Sequence, residues 1–237
     1  MFEQFDIAVI GAGIAGASVA ANLAKAGQRV VLLEMESQPG YHTTGRSAAV
    51  YSPIYGPQPI RALTRASLAF YENPPEEFAG RSLLSPFAAA FVARDDQLEH
   101  LATMETELAD AETVVRIDSQ EVSKRLPLLR KGYAAAALWD SGTSEIDVAA
   151  LHQGYLRQFK TAGGILMTGA EVMVLERDAG QWSLQTRQGR WAAQTVINAA
   201  GAWADALGEM AGAERIGLLP KRRTALMVDA PAGYDTK

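Results

Sequence analysis

Three glycines near the start of the chain have the spacing of a dinucleotide-binding turn. Gly11, Gly13 and Gly16 form a G-x-G-x-x-G pattern between an apolar run and an alanine-rich segment. The first glycine permits a tight turn, the second lets the backbone approach a pyrophosphate, and the third lets a helix pack closely on a strand. Glu34 ends the next apolar run, about 20 residues further on, where an acid suits ribose hydroxyls and repels a 2′-phosphate. These four residues predict the binding of an adenine dinucleotide.

Two later segments favour FAD over NAD, which the glycine pattern alone does not separate. Residues 41–49 are mostly small or hydroxyl-bearing and follow the second apolar run directly, so they can line a flavin and its phosphate chain. Residues 198–203 consist mainly of alanine and glycine and end in a tryptophan, and small residues allow the close approach of a ligand. The alternative interpretations are an ordinary polar loop for the first segment and tight packing of a helix on a strand for the second.

Alternating strands and helices are expected to position these segments. The run 5–10, a helix over 14–26 and a strand over 29–34 make one βαβ unit, which requires a parallel sheet. A long loop over 36–60 follows, with a short helix near 46–50, and a loop of that length is usually functional. Further helices are expected at 61–71, 95–109, 118–125, 147–162 and 203–211, and further strands at 84–93, 134–139, 165–168, 171–177, 182–186, 195–199 and from 223.

The βαβ rhythm breaks in the middle of the chain, which indicates an inserted domain. We therefore expect an α/β fold, a doubly wound (Rossmann-like) FAD-binding domain with an inserted α+β substrate domain, both incomplete. The expected boundaries place the first segment of the FAD-binding domain at 1–83 and that of the substrate domain at 84–146. The FAD-binding domain then resumes over 147–220, and the substrate domain over 221–237.

Composition and charge narrow the possible partners. The 237 residues carry a net charge of −5, which does not favour nucleic acid, and they include no cysteine for thiolate chemistry or disulfides. His42, His100 and His152 lack the spacing of metal ligands, and His42, without an acid–base partner visible in the sequence, is interpreted as structural. No apolar window is long enough for a membrane span and no basic signal segment is present, so a cytoplasmic location is expected. Oligomeric state and electron acceptor stay open.

Several longer runs make the chain recognisable. It resembles the D-amino-acid oxidase and dehydrogenase family of flavoproteins, and within it the bacterial D-arginine dehydrogenases. The runs that carry this resemblance are Pro39-Gly40-Tyr41-His42, Thr44-Gly45-Arg46-Ser47-Ala48-Ala49, Asn73-Pro74-Pro75, Leu83-Leu84-Ser85-Pro86, Leu151-His152-Gln153-Gly154-Tyr155-Leu156-Arg157, Asn198-Ala199-Ala200-Gly201-Ala202-Trp203 and Pro220-Lys221-Arg222-Arg223.

The resemblance implies FAD bound without a covalent link and oxidation of a D-amino acid to an imino acid. Tyr55 aligns with a tyrosine that reaches the substrate, and Arg223 with an arginine that helps hold the substrate carboxylate. Val172 would contact the adenine side. The remaining cofactor contacts implied are Gly11, Gly13, Ile14, Ala15, Gly16, Leu33, Glu34, Thr43, Thr44, Gly45, Arg46, Ser47, Ala48, Ala49, Val50, Ala199, Ala200, Gly201 and Trp203.

Departures from the family pattern leave the substrate open. Ala89 occupies the position of a glutamate that meets the cationic tail of D-arginine, so small or apolar D-amino acids are expected instead. Val50 replaces a histidine beside the flavin. Family members are much longer than this chain, which is therefore expected to be a fragment that is inactive alone. The alternatives are an oxidase or dehydrogenase of glycine, sarcosine or another secondary amine, an NAD-linked dehydrogenase, and a cofactor-binding module without catalysis.

Overall fold

The computed structural model describes residues 3–78, 80–222, 224, 229 and 231–233. The chain forms two compact units, the first made by the residues up to Ala48 and from Tyr155 onward, the second by Ala49–Gly154. The domain boundaries expected at 83/84, 146/147 and 220/221 stay a prediction. The strand expected from residue 223 onward lies, apart from Thr224, outside the described residues up to 228.

Short strands and helices alternate along the described residues. The strands are β1 (Glu3–Ile10), β2 (Val30–Leu33), β3 (Val50–Tyr51), β4 (Leu84–Pro86), β5 (Ala89–Ala93), β6 (Val114–Asp118), β7 (Ala136–Asp140), β8 (Ser144–Ile146), β9 (Ile165–Met167), β10 (Val172–Asp178), β11 (Gln181–Thr186) and β12 (Gly189–Asn198). The α-helices are α1 (Ile14–Lys25), α2 (Gln58–Ala66), α3 (Leu68–Glu72), α4 (Leu98–Glu107), α5 (Ser119–Arg125), α6 (Val148–Thr161) and α7 (Ala204–Met210). Turns of 3₁₀ helix occupy Thr44–Arg46, Asp95–Gln97 and Gly201–Trp203.

A six-stranded sheet organises the first unit. Its order is β10-β11-β12-β1-β2-β9, in which β12, β1, β2 and β9 run parallel and β10 and β11 are antiparallel additions. Because parallel strands end at the same edge, the residues that follow β1, β2, β9 and β12 come together there. This edge is where ligands bind in doubly wound sheets.

Both faces of this sheet are buried at β1 and β2, which explains the continuous apolar runs of these two strands. Val31 and Leu33 pack on one face with Leu184 and Leu207, whereas Val30 and Leu32 pack on the other. Successive side chains of a strand point to opposite faces. Because both faces are covered at β2, all four of its residues are buried. The second face is covered by a row of small side chains from α1 together with residues of α6: Ala17, Ala20, Ala21, Ala24, Leu156 and Phe159.

The second unit contains two three-stranded antiparallel sheets. Their orders are β3-β8-β4 and β5-β7-β6. Leu138 of β7 is fully buried against Leu101 of α4 and Ile54. Asp118 starts α5, because its Oδ1 accepts hydrogen bonds from the backbone N–H groups of Gln120 and Glu121.

A buried carboxylate holds the turn that follows β7. Asp140 is 0% exposed. Its Oδ1 accepts from the Thr113 hydroxyl at 2.7 Å and from the Gly142 N–H at 2.8 Å, and its Oδ2 accepts from the Thr143 hydroxyl at 2.7 Å. Because hydrogen bonds satisfy both oxygens, the group stabilises the turn.

Several elements differ from those expected from the sequence. The strand expected at 84–93 is two strands, β4 and β5, in different sheets, since the Phe87 N–H turns to the Thr143 carbonyl at 3.1 Å. The helix expected at 61–71 breaks at Ser67, whose hydroxyl bonds the Leu63 carbonyl at 2.9 Å, a contact that bends helices. The short helix near 46–50 is a 3₁₀ turn at Thr44–Arg46, and β6, β8 and the first half of β12 were not expected.

Among the helices of the described residues, none combines the length and apolar character that crossing a bilayer requires.

Candidate functional site

The glycine-rich turn brings three stretches of backbone very close together. Gly11 has φ +101°, and a side chain there would overlap the Ala199 carbonyl oxygen and lie 2.9 Å from its carbon. A Cβ on Gly16 would overlap the Gly11 carbonyl oxygen, and one on Gly13 would lie 3.1 Å from Thr44 Oγ1. Close backbone approach therefore requires Gly11 and Gly16, and the turn from Gly11 to Gly16 is called the glycine cradle below.

The N-terminus of α1 is arranged to receive an anion. Its N-cap is Gly13, which has no side chain to cap the helix, and the first turn contains no acidic residue. The Ile14 N–H donates to Thr44 Oγ1 at 2.9 Å, and Ala15 beside it is exposed. The first turn of a helix presents free N–H groups and the positive end of the helix dipole, so this end of α1 suits phosphate groups.

A buried carboxylate lies at the end of β2. Glu34 is 7% exposed, its Oε2 accepts from the Ala12 N–H at 2.8 Å, and its Oε1 accepts from the Glu36 N–H at 3.0 Å. Each carboxylate oxygen can accept more than one hydrogen bond, so Glu34 can also bind ribose hydroxyls. The side chain of the preceding Leu33 is in the core, and its carbonyl accepts the Gly11 N–H at 2.8 Å.

The segment that follows β2 lies against the start of α1. Its 3₁₀ turn, Thr44–Arg46, contacts the helix through the Thr44 hydroxyl. The Gly45 N–H donates to the Gly40 carbonyl at 2.7 Å, and the Arg46 guanidinium lies 4.7 Å from the centre of the Tyr41 ring. The exposed residues of the segment include Thr43, Gly45, Arg46, Ser47 and Ala48. They form an accessible, hydroxyl-bearing surface beside the glycine turn.

The residues after β12 complete the same edge of the sheet. The Ala199 N–H donates to the carbonyl of the last residue of β1 at 2.9 Å. Ala200 and Gly201 follow, and Gly201 has φ +54°. Trp203 is 44% exposed and its ring centre lies 4.6 Å from that of His42. The structure thus brings residues 199–203 together with the turn and the loop.

Sequence reasoning missed a hydrogen-bonded pair of side chains in this cluster. His42 Nε2 lies 2.9 Å from Glu36 Oε1, and about a third of each side chain is exposed. The residues stand six positions apart in an irregular loop, so no periodic pattern indicated the contact. A signal was available, since a histidine follows an acid within a segment already expected to be functional.

Val172 belongs to a neighbouring part of the first unit. It begins β10, two residues after Ala170, whose N–H donates to the Glu34 carbonyl at 2.8 Å. The Gly169 N–H donates in the same way to the Glu36 carbonyl at 2.8 Å. The chain that leads to Val172 therefore lies beside the buried carboxylate.

The remaining site residues expected from the sequence are in the second unit or outside the described residues. Ala49 has φ +57°, a strained conformation for alanine, and its carbonyl accepts the Ile146 N–H at 2.6 Å. Val50 is in β3, and Tyr55 is 61% exposed in the loop before α2. Arg223 lies outside the described residues.

A glycine cradle, an open helix N-terminus and a buried acid at the carboxyl ends of parallel strands define a dinucleotide-binding α/β protein. A pyrophosphate at the start of α1 would meet backbone N–H groups, and the Glu34 oxygens can accept hydrogen bonds from ribose hydroxyls, so the residues present fit the ADP half of FAD. A family model described as FAD dependent oxidoreductase matches residues 6–237, and the chain belongs to that family, whose cofactor is FAD.

Comparison with individual proteins gives, among others, relatives named for dimethylglycine and glycine. Human mitochondrial dimethylglycine dehydrogenase is 28% identical over 218 residues, which cover 90% of this chain and 25% of that protein. Glycine oxidase from Geobacillus kaustophilus is 27% identical over 248 residues, which cover 98% of this chain and 63% of that protein. The crystal structure of glycine oxidase from that organism matches with a TM-score of 0.78 at 25% identity, over 88% of this chain and 58% of that one.

One further solved structure supports the fold. L-proline dehydrogenase from P. horikoshii matches with a TM-score of 0.73 at 24% identity, over 90% of this chain and 57% of that one. The chain spans less than two thirds of the length of each of these relatives.

Proposed function

We propose that the protein to which this chain belongs oxidises a small amino acid or amine at the carbon that bears the nitrogen, with FAD as the oxidant. The glycine cradle with Glu34 at its side is the observation that carries the cofactor part of this proposal. The amine part is supported by relatives named for glycine and dimethylglycine.

The residues of the first unit would bind and orient the cofactor. The start of α1 would hold the pyrophosphate, Glu34 would accept hydrogen bonds from the ribose, and Thr44 would keep its loop against the helix. FAD supplies an acceptor for the hydride from the substrate carbon. That carbon loses a hydride and the nitrogen loses a proton, which leaves an imine that water hydrolyses to a carbonyl compound and ammonia or an amine.

Two residues are proposed to hold the substrate. Arg223 would pair with the substrate carboxylate, because guanidinium and carboxylate match through two parallel hydrogen bonds. Tyr55, exposed by 61%, would cap the pocket or donate its hydroxyl to the same carboxylate. Hydride transfer requires the reacting carbon to be held in near-attack geometry, and a grip on the substrate carboxylate would serve that end.

The preferred side chain is proposed to be small. Ala89 is a half-buried residue at the start of β5, and an alanine offers no charge to a cationic substrate tail. We therefore expect glycine, N-methylglycine or D-alanine to be better substrates than D-arginine. D-amino acids in general, of which D-alanine is the smallest chiral member, are supported by the resemblance of residues 44–49 and 198–203 to D-amino-acid dehydrogenases.

The test is anaerobic mixing of the full-length flavoprotein with a panel of amines while the visible flavin absorbance is followed. We expect bleaching by glycine, N-methylglycine or D-alanine, and none by L-alanine. Bleaching by D-arginine above all others would overturn the preference for small side chains. FAD binding without bleaching by any amine would instead identify a cofactor-binding module without catalysis.

A variant pair tests the role of Ala89 directly. Ala89→Glu should raise the relative rate with D-arginine, because it adds a carboxylate that can pair with the guanidinium. Ala90→Glu is the matched control, since adjacent residues of a strand point to opposite faces. An equal response of both variants would contradict a specific role for position 89.

A further inference from the structure

Three side chains form a row at the edge of the first sheet. Glu36 follows β2, His42 is in the loop that follows, and Trp203 is in the 3₁₀ turn after β12. His42 Nε2 is 2.9 Å from Glu36 Oε1, and its ring centre is 4.6 Å from that of Trp203, with an angle of 56° between the planes. One imidazole thus contacts two chain segments that are far apart in sequence.

Each member of the row adjoins a segment of the cofactor site. The Glu36 N–H donates to Glu34 Oε1 at 3.0 Å, so Glu36 is tied to the ribose-binding carboxylate. His42 stands two residues before Thr44, which bonds the start of α1. Trp203 closes the turn that contains Gly201. The row therefore connects the ribose end, the loop and the segment after β12.

The chemistry of the pair assigns the proton. A carboxylate only accepts hydrogen bonds, so Nε2 of His42 donates to Glu36. The centre of the Tyr41 ring also lies 5.1 Å from that of the imidazole, and the Arg46 guanidinium lies 4.7 Å from the centre of the Tyr41 ring. About two thirds of each of the two side chains is buried. The hydrogen bond to Glu36 therefore orients the His42 ring against that of Trp203.

We propose that His42 is a positioning residue for FAD, which holds the loop 37–48 to the segment after β12 through Glu36 and Trp203. The proposal deepens the proposed function and rests on its cofactor site, not on its substrate. His42 itself need not touch the cofactor. Its loss would leave Glu34 and the glycine turn in place and would free the loop from the segment after β12.

The experiment measures FAD affinity of the reconstituted protein by the change in flavin fluorescence on titration of the apoprotein. His42→Phe keeps a ring against Trp203 and removes the hydrogen bond, and we expect it to weaken FAD binding about fivefold. Glu36→Ala should have a similar effect, and the double variant should be no worse than either alone, because both remove one interaction. His42→Gln restores an N–H donor and should recover part of the affinity.

Two controls keep the outcome interpretable. His100→Ala changes an exposed histidine of α4 in the second unit and should leave FAD affinity unchanged. Thermal unfolding of the apoproteins separates misfolding from loop release, since a positioning role predicts little change in their melting temperatures. Unchanged affinity in His42→Phe, or additive losses in the double variant, would overturn the proposal.

The outcome is distinguishable from failure of the substrate proposal. FAD affinity is measured without any amine present. Weakened FAD binding in His42→Phe together with no bleaching by any amine would support the positioning role and reject the substrate class. Bleaching by glycine together with unaltered FAD affinity in His42→Phe would support the substrate class and reject the positioning role.

Discussion

Replacement of Gly11 by alanine is the sharpest test of the proposed cradle. The residue has φ +101°, where an L-amino acid is strained by about 1–2 kcal/mol. The added methyl would also overlap the Ala199 carbonyl, and forcing packed atoms apart costs about 1–3 kcal/mol. We therefore expect Gly11→Ala to destabilise the first unit by about 3 kcal/mol and to weaken FAD binding.

Gly27→Ala is a matched control for this change. Gly27 follows the C-cap of α1 with φ +85°, but a Cβ there would meet nothing within 4 Å. This variant carries the conformational strain without the collision, so its expected cost is about 1 kcal/mol. The difference of about 2 kcal/mol between the variants measures the close backbone approach that the cradle requires.

Urea unfolding followed by tryptophan fluorescence can report on the first unit alone. Trp182, Trp191 and Trp203 belong to that unit, whereas Trp139 belongs to the second. In a Trp139→Phe background, the signal therefore comes from the unit that contains the glycine turn. Equal stabilities of Gly11→Ala and Gly27→Ala would refute the reasoning, since strain alone would then account for both.

Three further changes have defined outcomes. Thr44→Val removes the acceptor of the Ile14 N–H bond and should cost the first unit about 1 kcal/mol in urea unfolding. Asp140→Asn turns an amide N–H₂ toward groups that donate, so it should cost the second unit about 2 kcal/mol, measured through Trp139 fluorescence. Burial raises the pKa of Tyr71 above its ordinary 10.0. The stability that comes from keeping Tyr71 neutral is therefore complete below about pH 10 and is lost as the pH rises further. Thermal melts at about pH 9 and about pH 11 measure this loss, and Tyr71→Phe should make the drop in melting temperature between them smaller.

Each of these expectations has an opposing result. Wild-type stability in Thr44→Val would mean that the loop does not depend on its bond to α1. A neutral Asp140→Asn would mean that the turn after β7 tolerates a mismatched donor. If Tyr71→Phe loses as much stability at alkaline pH as the wild type, other groups cause that loss. Tyr51 is one candidate, because burial raises its pKa too.

The glycine turn could be predicted because its function depends on a short segment. The spacing of Gly11, Gly13 and Gly16 and the apolar runs on either side are local properties, and they specify a strand, a turn and a helix in order. The position of Glu34 follows from the length of one βαβ unit. The family model over residues 6–237 agrees with the FAD that residues 41–49 and 198–203 favoured over NAD, whereas the D-amino-acid substrate stays a proposal.

Elements held by distant partners were harder to predict. β12 begins at Gly189, well before the expected strand, because Trp191, Ala192 and Ala193 are buried between β11 and β1. The break between β4 and β5 depends on the Thr143 carbonyl. Neither partner is visible in the local sequence, so periodicity alone could not place these boundaries.

The sequence by itself determined the α/β class, the glycine cradle and the acid beside it, since these depend on residue types at short spacing. Only the tertiary structure decided that the Ala199 carbonyl packs against Gly11, that Thr44 bonds the start of α1, and that His42 joins Glu36 to Trp203. Apart from the Glu36–His42 pair, these contacts join segments from 30 to almost 190 positions apart in the chain. They exist because parallel strands end at one edge of the sheet, which brings the loops that follow them together.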